Sequence, residues 1–191
     1  MKVRKEGRQV KKKPADKEKN KIFKVVLAGE RVFSNAKEAF TLYDSSRLGE
    51  PKEGKVYYSL VETLYLLEKG KLQVYKGKKK VTSNMFLKEA QLLENNFHTR
   101  FIVFRDMRNR GYIVKTALKF GADFRVYERG VKPGQEHAKW ILYPVFESTS
   151  LTWHEFAAKN RVAHSTRKKL LIAIVDDEND VTYYEVAWRR P

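Results

Sequence analysis

The chain changes its pattern of apolar and polar residues several times, and each pattern predicts a different element. Residues 1–20 carry no aromatic residue and no apolar periodicity, which predicts a disordered basic arm. Short apolar runs then predict strands, at 22–33 with a turn at Gly29, at 55–58 and at 72–75. Apolar residues three and four apart predict helices, at 36–43, 60–69, 83–94 and 97–109.

Two capping boxes predict where helices begin. In Ser59-Leu60-Val61-Glu62 and in Thr152-Trp153-His154-Glu155, a hydroxyl and a carboxylate three residues apart can satisfy the first backbone donors of a helix. Gly70 ends the first of these helices, and the second extends to about residue 165. Ser83 is expected to cap the helix at 83–94, after a polar turn at 77–80.

The C-terminal half is predicted to form a mixed sheet. Strands are predicted at the positions 112–116, 124–127, 140–146, 170–175 and 181–188. The run 170–175 is continuously apolar, which favours a central strand buried on both faces. The predicted fold class is therefore α+β, with a small N-terminal α/β domain at 21–95 and a C-terminal mixed-sheet domain flanked by helices at 96–191.

Composition excludes several classes of protein. The 191 residues are 42% hydrophobic and include no cysteine, which excludes a disulfide scaffold, a cysteine-ligated zinc site and a thiol nucleophile. No apolar run approaches the ~18 residues of a membrane span. The basic N-terminus has no apolar segment after it, unlike a secretory signal. We therefore expect a soluble cytoplasmic protein without a membrane partner.

The chain is strongly basic, with a formal net charge of +17. Residues 1–21 hold ten Lys or Arg and three Asp or Glu, a net of +7, so residues 22–191 carry +17 minus +7, or +10. Because the positive net charge extends beyond the N-terminal arm, RNA or DNA is the expected partner. A Lys- and Glu-rich surface adapted to high temperature is the alternative explanation.

Three residues in the C-terminal half offer a phenol, an imidazole and an ammonium: Tyr127, His137 and Lys168. RNA carries its own nucleophile, the 2′-hydroxyl, so its cleavage needs only a base, an acid and a cation for the charge of the transition state. Tyr127 could be the base, His137 the acid and Lys168 the cation. A phenol is a weak base at neutral pH, and a nearby ammonium favours the phenolate. On spacing alone, a strand aromatic, a loop histidine and a surface charge remain the simpler interpretations.

The local sequences around these residues are more specific. The segment from Gly111 through Phe-Gly-Ala-Asp-Phe-Arg-Val-Tyr to His137 resembles the archaeal tRNA-splicing endonucleases, as does the segment 161–175. A looser similarity covers about 22–95, including the helix that begins after Ser59. The resemblance implies a restriction-endonuclease-like catalytic domain in which Tyr127, His137 and Lys168 cleave precursor tRNA. It further implies cleavage at bulge-helix-bulge motifs without metal or cofactor, leaving 2′,3′-cyclic phosphate and 5′-hydroxyl ends.

The resemblance also implies RNA-binding residues. Arg161 falls on an arginine that stacks on an extruded base, and Tyr183 falls on its partner position, which is an arginine in some relatives. For Arg161 the alternative is a cation near a helix C-terminus.

The acidic turn at 176–180 is unusual in so basic a chain. In the resembling family, a similar loop inserts into a neighbouring subunit and joins two dimers. A homotetramer is therefore expected, and a heterotetramer with a structural subunit stays open. Tyr184, Val186 and Trp188 are expected in the remaining interface, and the carboxylates that would join the dimers are Asp176, Asp177, Glu178 and Asp180.

Two other functions compete with this interpretation. A metal-dependent DNA nuclease would need an Asp followed by a Glu-x-Lys trio, and no such trio follows Asp123. A non-catalytic RNA-binding or structural subunit would be expected to lack one of the three catalytic side chains, and all three are present.

Overall fold

The computed structural model describes residues 21–117, 121–131 and 137–189, so the predicted basic arm at 1–20 lies outside the described residues. Eleven strands are found in these ranges: β1 Phe23–Ala28, β2 Arg31–Ser34, β3 Glu50–Lys52, β4 Lys55–Tyr58, β5 Leu72–Lys76, β6 Lys79–Val81, β7 Ile113–Thr116, β8 Phe124–Tyr127, β9 Trp140–Phe146, β10 Lys169–Val175 and β11 Val181–Val186. Five helices accompany them: α1 Lys37–Ser46, α2 Leu60–Glu68, α3 Ser83–Leu93, α4 Phe97–Asn109 and α5 Trp153–Ser165. Within the same ranges, no helix has both the length and the apolar character to cross a membrane.

The first six strands form one sheet, in the order β3-β4-β2-β1-β5-β6. Only β1 and β5 are parallel, and the other neighbours pair antiparallel. The β1–β2 turn is made at Gly29, as predicted, with a φ of +61° that suits a residue without a side chain. Two short strands at the sheet edges escaped the sequence analysis, because Pro51 in β3 and the lysines of β6 are typical of edges rather than of sheet interiors.

Both predicted capping boxes are formed. Ser59 Oγ accepts a hydrogen bond from the N–H of Glu62 at 3.4 Å, and the Glu62 carboxylate accepts one from the N–H of Ser59 at 3.0 Å. Thr152 and Glu155 make the equivalent pair at 3.2 and 2.8 Å. These reciprocal bonds satisfy donors that the first helical turn leaves free, which is why α2 and α5 begin where the sequence predicts.

The cap of α3 differs from the prediction. Thr82, not Ser83, accepts a hydrogen bond from the N–H of Met85 at 3.4 Å, and Ser83 is the first helical residue. Thr82 has the extended backbone of an N-cap, so its hydroxyl reaches the first turn. The predicted turn at 77–80 is shorter than expected: residues 77 and 78 form it, and Lys79 and Lys80 already belong to β6 and pair with β5.

The last five strands form a second sheet, in the order β11-β10-β9-β8-β7, in which only β9 and β10 are parallel. Strand β10 is interior and covered on both faces, as its apolar run predicts. Leu171 and Ala173 belong to the core that includes α4, whereas Leu170 and Ile172 pack with Ala163 of α5. Helices α4 and α5 therefore lie on opposite faces of this sheet.

Helix α4 joins the two sheets through one continuous core. The ring of Phe104 lies 5.8 Å from that of Tyr65 on α2 and 5.9 Å from that of Phe124 on β8, measured between centroids. The fold is thus α+β, with one mixed sheet in each half, as the pattern of elements predicts. The domain boundary near residue 95 stays a prediction, since α4 packs against both halves.

Candidate active site

The residues proposed from sequence for chemistry lie at one end of the second sheet. Tyr127 is the last residue of β8, His137 precedes β9 by three residues and Lys168 immediately precedes β10. Strand β8 runs antiparallel to β9, and β9 runs parallel to β10, so the end of β8 lies beside the beginnings of the other two. Neighbouring strands are about 4.8 Å apart. The structure therefore brings these three positions together.

Backbone hydrogen bonds fix this end of the sheet. The N–H of Lys139 donates to the carbonyl of Val126, and the N–H of Lys169 donates to the carbonyl of Lys139, each at 2.9 Å. The Lys139 ammonium also pairs with the Glu128 carboxylate, which raises the pKa of Lys139. The hydrogen bonds that join residues 126, 139 and 169 thus hold β8, β9 and β10 in register directly beside the candidate catalytic residues.

Tyr127 is buried, with 5% of its surface exposed, and belongs to neither of the two core clusters. Phe124 and Val126 point into the core beside α4. Because side chains alternate along a strand, Arg125 and Tyr127 face the other side of the sheet. The phenol is therefore on the face opposite α4.

His137 is exposed, and it makes no side-chain hydrogen bond or ion pair to any described residue. Its neighbours in the predicted motif, Gln135 and Glu136, lie outside the described residues. An exposed imidazole with no partner among the described residues can reach a substrate atom.

Lys168 is half-buried and is held by the end of α5. The N–H of Arg167 donates to the carbonyl of His164 at 2.9 Å, and the N–H of Lys168 donates to that of Ala163 at 2.8 Å. These bonds form a Schellman motif, with Arg167 in the left-handed conformation at φ +54°. The Lys168 ammonium donates to the carbonyl of Thr166 at 2.8 Å, so the helix end fixes a cation beside the start of β9.

The two residues predicted to hold a base do not face each other within one chain. Arg161 is exposed on α5, whereas Tyr183 pairs with Ala173 on the face that packs against α4. The Tyr183 hydroxyl donates to Asp106 at 2.7 Å, and the Arg110 guanidinium lies 5.7 Å from its ring centre. Burial, followed by the bond to Asp106, raises the pKa of Tyr183. A tyrosine engaged in this way is not free to stack on RNA from the α5 side.

Beside Arg161, α5 and the end of β11 enclose an apolar cavity of about 620 Å³. Trp188 lines it with 57% of its surface exposed, and its indole meets the His164 ring at 4.8 Å. Tyr184 is 54% exposed and Val186 is half-buried. The residues predicted for the main subunit interface thus form an accessible apolar surface.

The acidic turn between β10 and β11 lies at the other end of the sheet. Asp176 organises it, since its carboxylate accepts a hydrogen bond from the N–H of Asp180 at 2.8 Å. Asn179 has φ +66° and lies 2.9 Å from His98 Nε2 on α4. Within the described ranges none of the four carboxylates of this turn forms an ion pair, and three are exposed: Asp177, Glu178 and Asp180.

Asp123, the residue considered for a metal-dependent nuclease, is paired with Arg100 of α4. The Arg100 Nε lies 2.7 Å from the Asp123 carboxylate, although its N–H bond is not aimed at the oxygen. Burial raises the pKa of Asp123, and the Arg100 charge opposes that shift. Across the ranges that the structure describes, no group of three His, Asp or Glu side chains is arranged to hold a metal ion.

A polar cavity lies between the two halves of the chain and was not predicted from the sequence. Lys115 and Arg125 from the second sheet meet Tyr58 of β4 and Glu62 of α2 across a space of about 340 Å³. Arg125 lies in the predicted strand Phe-Arg-Val-Tyr. A charged residue between apolar neighbours is the one local feature that could have indicated this cavity. A role for Arg125 in a cavity can be inferred only when it is known which elements pack beside β8. The pattern of apolar and polar residues within one strand does not show this.

Comparison with known proteins agrees with this organisation. Residues 23–87 match the family model for the tRNA intron endonuclease N-terminal domain, and residues 97–183 match the model for its catalytic C-terminal domain. The chain is 42% identical over 165 residues to the tRNA-splicing endonuclease of Thermococcus gammatolerans, covering 86% of this chain and 96% of that protein. It is 48% identical over 138 residues to that of Nanoarchaeum equitans, covering 69% and 88%. For the protein from Methanothermobacter thermautotrophicus the identity is 43% over 150 residues, covering 78% and 87%. The chain therefore belongs to the tRNA intron endonuclease family and carries its catalytic domain.

Proposed function

We propose that the chain excises introns from precursor tRNA by cutting at bulge-helix-bulge motifs without metal, leaving 2′,3′-cyclic phosphate and 5′-hydroxyl ends. The observation that carries the proposal is the meeting of Tyr127, His137 and Lys168 at one end of the catalytic-domain sheet. Family membership supports the substrate class. A phenol, an imidazole and an ammonium supply the base, acid and cation that such cleavage needs.

In this mechanism the Tyr127 phenolate takes the proton of the 2′-hydroxyl. The 2′-oxygen attacks the adjacent phosphorus, and the bond from phosphorus to the 5′-oxygen breaks. His137 donates a proton to the departing oxygen, and Lys168 stabilises the negative charge of the transition state. The proposed roles agree with the surroundings of the two side chains, since the imidazole is exposed to a bound substrate and the ammonium is held at the end of α5.

We assign the contact with an extruded base to Arg161 alone. The residue is exposed on α5 and lines the apolar cavity, where a flat guanidinium can stack on a base. Such stacking contributes about 1–3 kcal/mol per base on aromatic platforms. Tyr183 is omitted from this contact because its hydroxyl is bound to Asp106 on the opposite face of the sheet.

The proposed assembly is a homotetramer. The apolar surface around Tyr184, Val186 and Trp188 suits a symmetric contact between two copies. The acidic turn suits a second contact, because a chain with a net charge of +17 offers basic partner surface on another copy. Strand β10 has seven residues, so the turn lies about 20 Å from Lys168 and can reach a neighbour without blocking its own site.

Neutralising Asp177 and Glu178 together, as Asp177→Asn and Glu178→Gln, is expected to roughly halve the particle mass. Both carboxylates are exposed and unpaired within the described residues, so folding should be unaffected while the contact between dimers is lost. Light scattering after size-exclusion chromatography measures the mass. The matched control removes two charges from other turns, as Glu30→Gln with Glu53→Gln. An unchanged mass in both variants would rule out the acidic turn as the dimer-joining contact.

The function is tested by incubating the purified chain with an intron-containing precursor tRNA in EDTA and analysing the product ends. We expect two cuts per intron, with cyclic phosphate at each upstream end and 5′-hydroxyl at each downstream end. Cleavage that stops in EDTA and returns with Mg²⁺ would overturn the metal-free mechanism. If the chain alone is inactive, cell extract is added, since restored cleavage would identify a heterotetramer that needs a structural subunit.

A further inference from the structure

The cavity between the two halves of the chain is built from both sheets. Strands β7 and β8 contribute Lys115, Thr116 and Arg125, and the N-terminal half contributes the rest of the wall. The aromatic part of that wall consists of Tyr43, Tyr57 and Tyr58. At about 340 Å³ the space is large enough for a nucleotide-sized group.

Two of the charged side chains in this cavity neutralise each other. Glu62 is 6% exposed and accepts hydrogen bonds from the N–H groups of Gly49 and Ser59, each at 3.0 Å. The Lys115 ammonium lies 3.5 Å from the Glu62 carboxylate and donates to the carbonyl of Gly49 at 2.5 Å. This pair is an internal link between the halves and leaves no free charge for a ligand.

Arg125 is different, because its guanidinium makes no hydrogen bond or ion pair to any described residue. The residue is half-buried, and its Nε is completely shielded from solvent. Glu50 lines the cavity but is exposed and lies beyond ion-pairing distance of Arg125. A cation held partly out of water without a counter-charge is unfavourable unless an anion completes the site.

A second group in the cavity also lacks a partner. Tyr58 is 4% exposed, and its hydroxyl oxygen is buried without a hydrogen bond to any described residue. Buried polar atoms in proteins are nearly always hydrogen-bonded, so an orphaned hydroxyl requires an explanation. Tyr57, the preceding residue of β4, also lines the cavity and is half-exposed; among the described residues its ring pairs with the Phe33 ring, at 5.7 Å.

The location connects this cavity with the proposed cleavage site. Arg125 and Tyr127 share β8 and point to the same face, two residues or about 6.6 Å apart along the strand. Consecutive phosphates of an RNA strand are separated by a similar distance. A strand whose scissile phosphate lies at Tyr127 would therefore present a neighbouring phosphate to Arg125.

We propose that the cavity binds one nucleotide of the RNA substrate adjacent to the cut, with its phosphate on Arg125 and its base against Tyr57. The inference rests on the proposed function, since it names a further subsite for the same substrate. It makes the N-terminal half part of the substrate-binding surface, because Tyr57 and Tyr58 come from β4. The Tyr58 hydroxyl supplies a hydrogen bond to the bound nucleotide.

The test compares Arg125→Gln with wild type for binding to a precursor tRNA that carries 2′-deoxy residues at both cut sites and so cannot be cleaved. We expect the Kd to rise about tenfold at physiological salt. The slope of log K against log salt should fall by about one, as loss of a single phosphate contact requires. Arg125→Lys should recover part of the affinity. Arg31→Gln, which removes an equal charge from the start of β2, should leave the affinity close to that of wild type.

Two further measurements separate binding from folding and phosphate from base. The Tm of Arg125→Gln should equal or exceed that of wild type, because the substitution removes an unpaired, half-buried charge; a structural role for Arg125 would lower it. Tyr57→Leu should weaken RNA binding about three- to tenfold without changing the salt slope.

The outcomes distinguish this subsite from the cleavage function. If the chain cleaves in EDTA but Arg125→Gln binds RNA with the affinity and salt slope of Arg31→Gln, the subsite is overturned and the function stands. If the chain cleaves neither alone nor with added cell extract but Arg125→Gln weakens binding as described, the subsite stands and the function fails. If inorganic phosphate raises the Tm of wild type and not of Arg125→Gln while RNA affinity is unchanged, the cavity is a free-anion site and the nucleotide proposal is overturned.

Discussion

His137→Ala is expected to slow cleavage of precursor tRNA by about 10²–10⁴-fold, the usual contribution of general acid catalysis. The substitution removes the proposed proton donor for the 5′-oxygen. His137 is exposed and has no partner among the described residues, so its loss should not alter the Tm. The rate is measured under single-turnover conditions in EDTA with enzyme in excess, which isolates the chemical step from binding and product release.

A substrate with sulfur in place of the bridging 5′-oxygen tests the role directly. A thiolate leaves without being protonated, because its conjugate acid is far stronger than an alcohol. His137→Ala should therefore cleave this substrate nearly as fast as wild type. His154→Ala, another exposed histidine, on α5, is the matched control and should cleave both substrates at the wild-type rate. An equal loss on the oxygen and sulfur substrates would show that His137 is not the acid.

The sequence predicted most of the fold because its strongest signals are local. The two capping boxes involve residues three apart, and both mark true helix starts. The apolar run that became β10 needs no partner to be recognised. The short edge strand β6 was missed, since its lysines resemble a turn until the pairing with β5 is known. Strands that can be recognised only from their pairing with a neighbouring strand are therefore not predicted from local sequence patterns.

The residues of the candidate site likewise differ in how far local sequence could predict them. The resemblance supplied the identities of Tyr127, His137 and Lys168, and strand order then brings them to one end of a sheet. The expected partnership of Arg161 with Tyr183 depends on which face β11 presents, and the register turns Tyr183 towards α4. Strand alternation alone cannot decide between the two faces of a sheet whose edge strand is half-exposed.

Long-range charge pairing was also outside the reach of the sequence. Arg100 is 7% exposed on α4 and pairs with Glu94 before the helix and with Asp123 before β8. Its guanidinium also lies 5.5 Å from the ring centre of Phe124. In a chain with 40 Lys and Arg residues, nothing local distinguishes this arginine from those on the surface.

Arg100→Met is expected to lower the free energy of unfolding by about 3 kcal/mol, because it leaves the Asp123 carboxylate, which is 28% exposed, without its cation. Burial already raises the pKa of Asp123, and the Arg100 charge opposes that rise, so the variant should raise it further. A carboxyl with a raised folded-state pKa stabilises the fold only when protonated. The deficit should therefore be largest at neutral pH and shrink as the pH falls through the pKa of Asp123 in the folded variant. Urea unfolding at a series of pH values measures both effects.

Adding Asp123→Asn to Arg100→Met should restore part of the lost stability at neutral pH, because it removes one of the two carboxylates that lose their cation; the other is Glu94. Arg105→Met is the matched control: its pair with Glu68 is 3.9 Å long and over a third exposed, so its loss should cost at most about 1 kcal/mol. If Arg100→Met costs no more than this control, the buried pair does not hold α4 to the sheet. If it costs the expected amount, the same pair anchors the start of β8, the four-residue strand that carries both Arg125 and Tyr127. The geometry of the proposed cleavage site would then depend on a charge pair at the start of that strand.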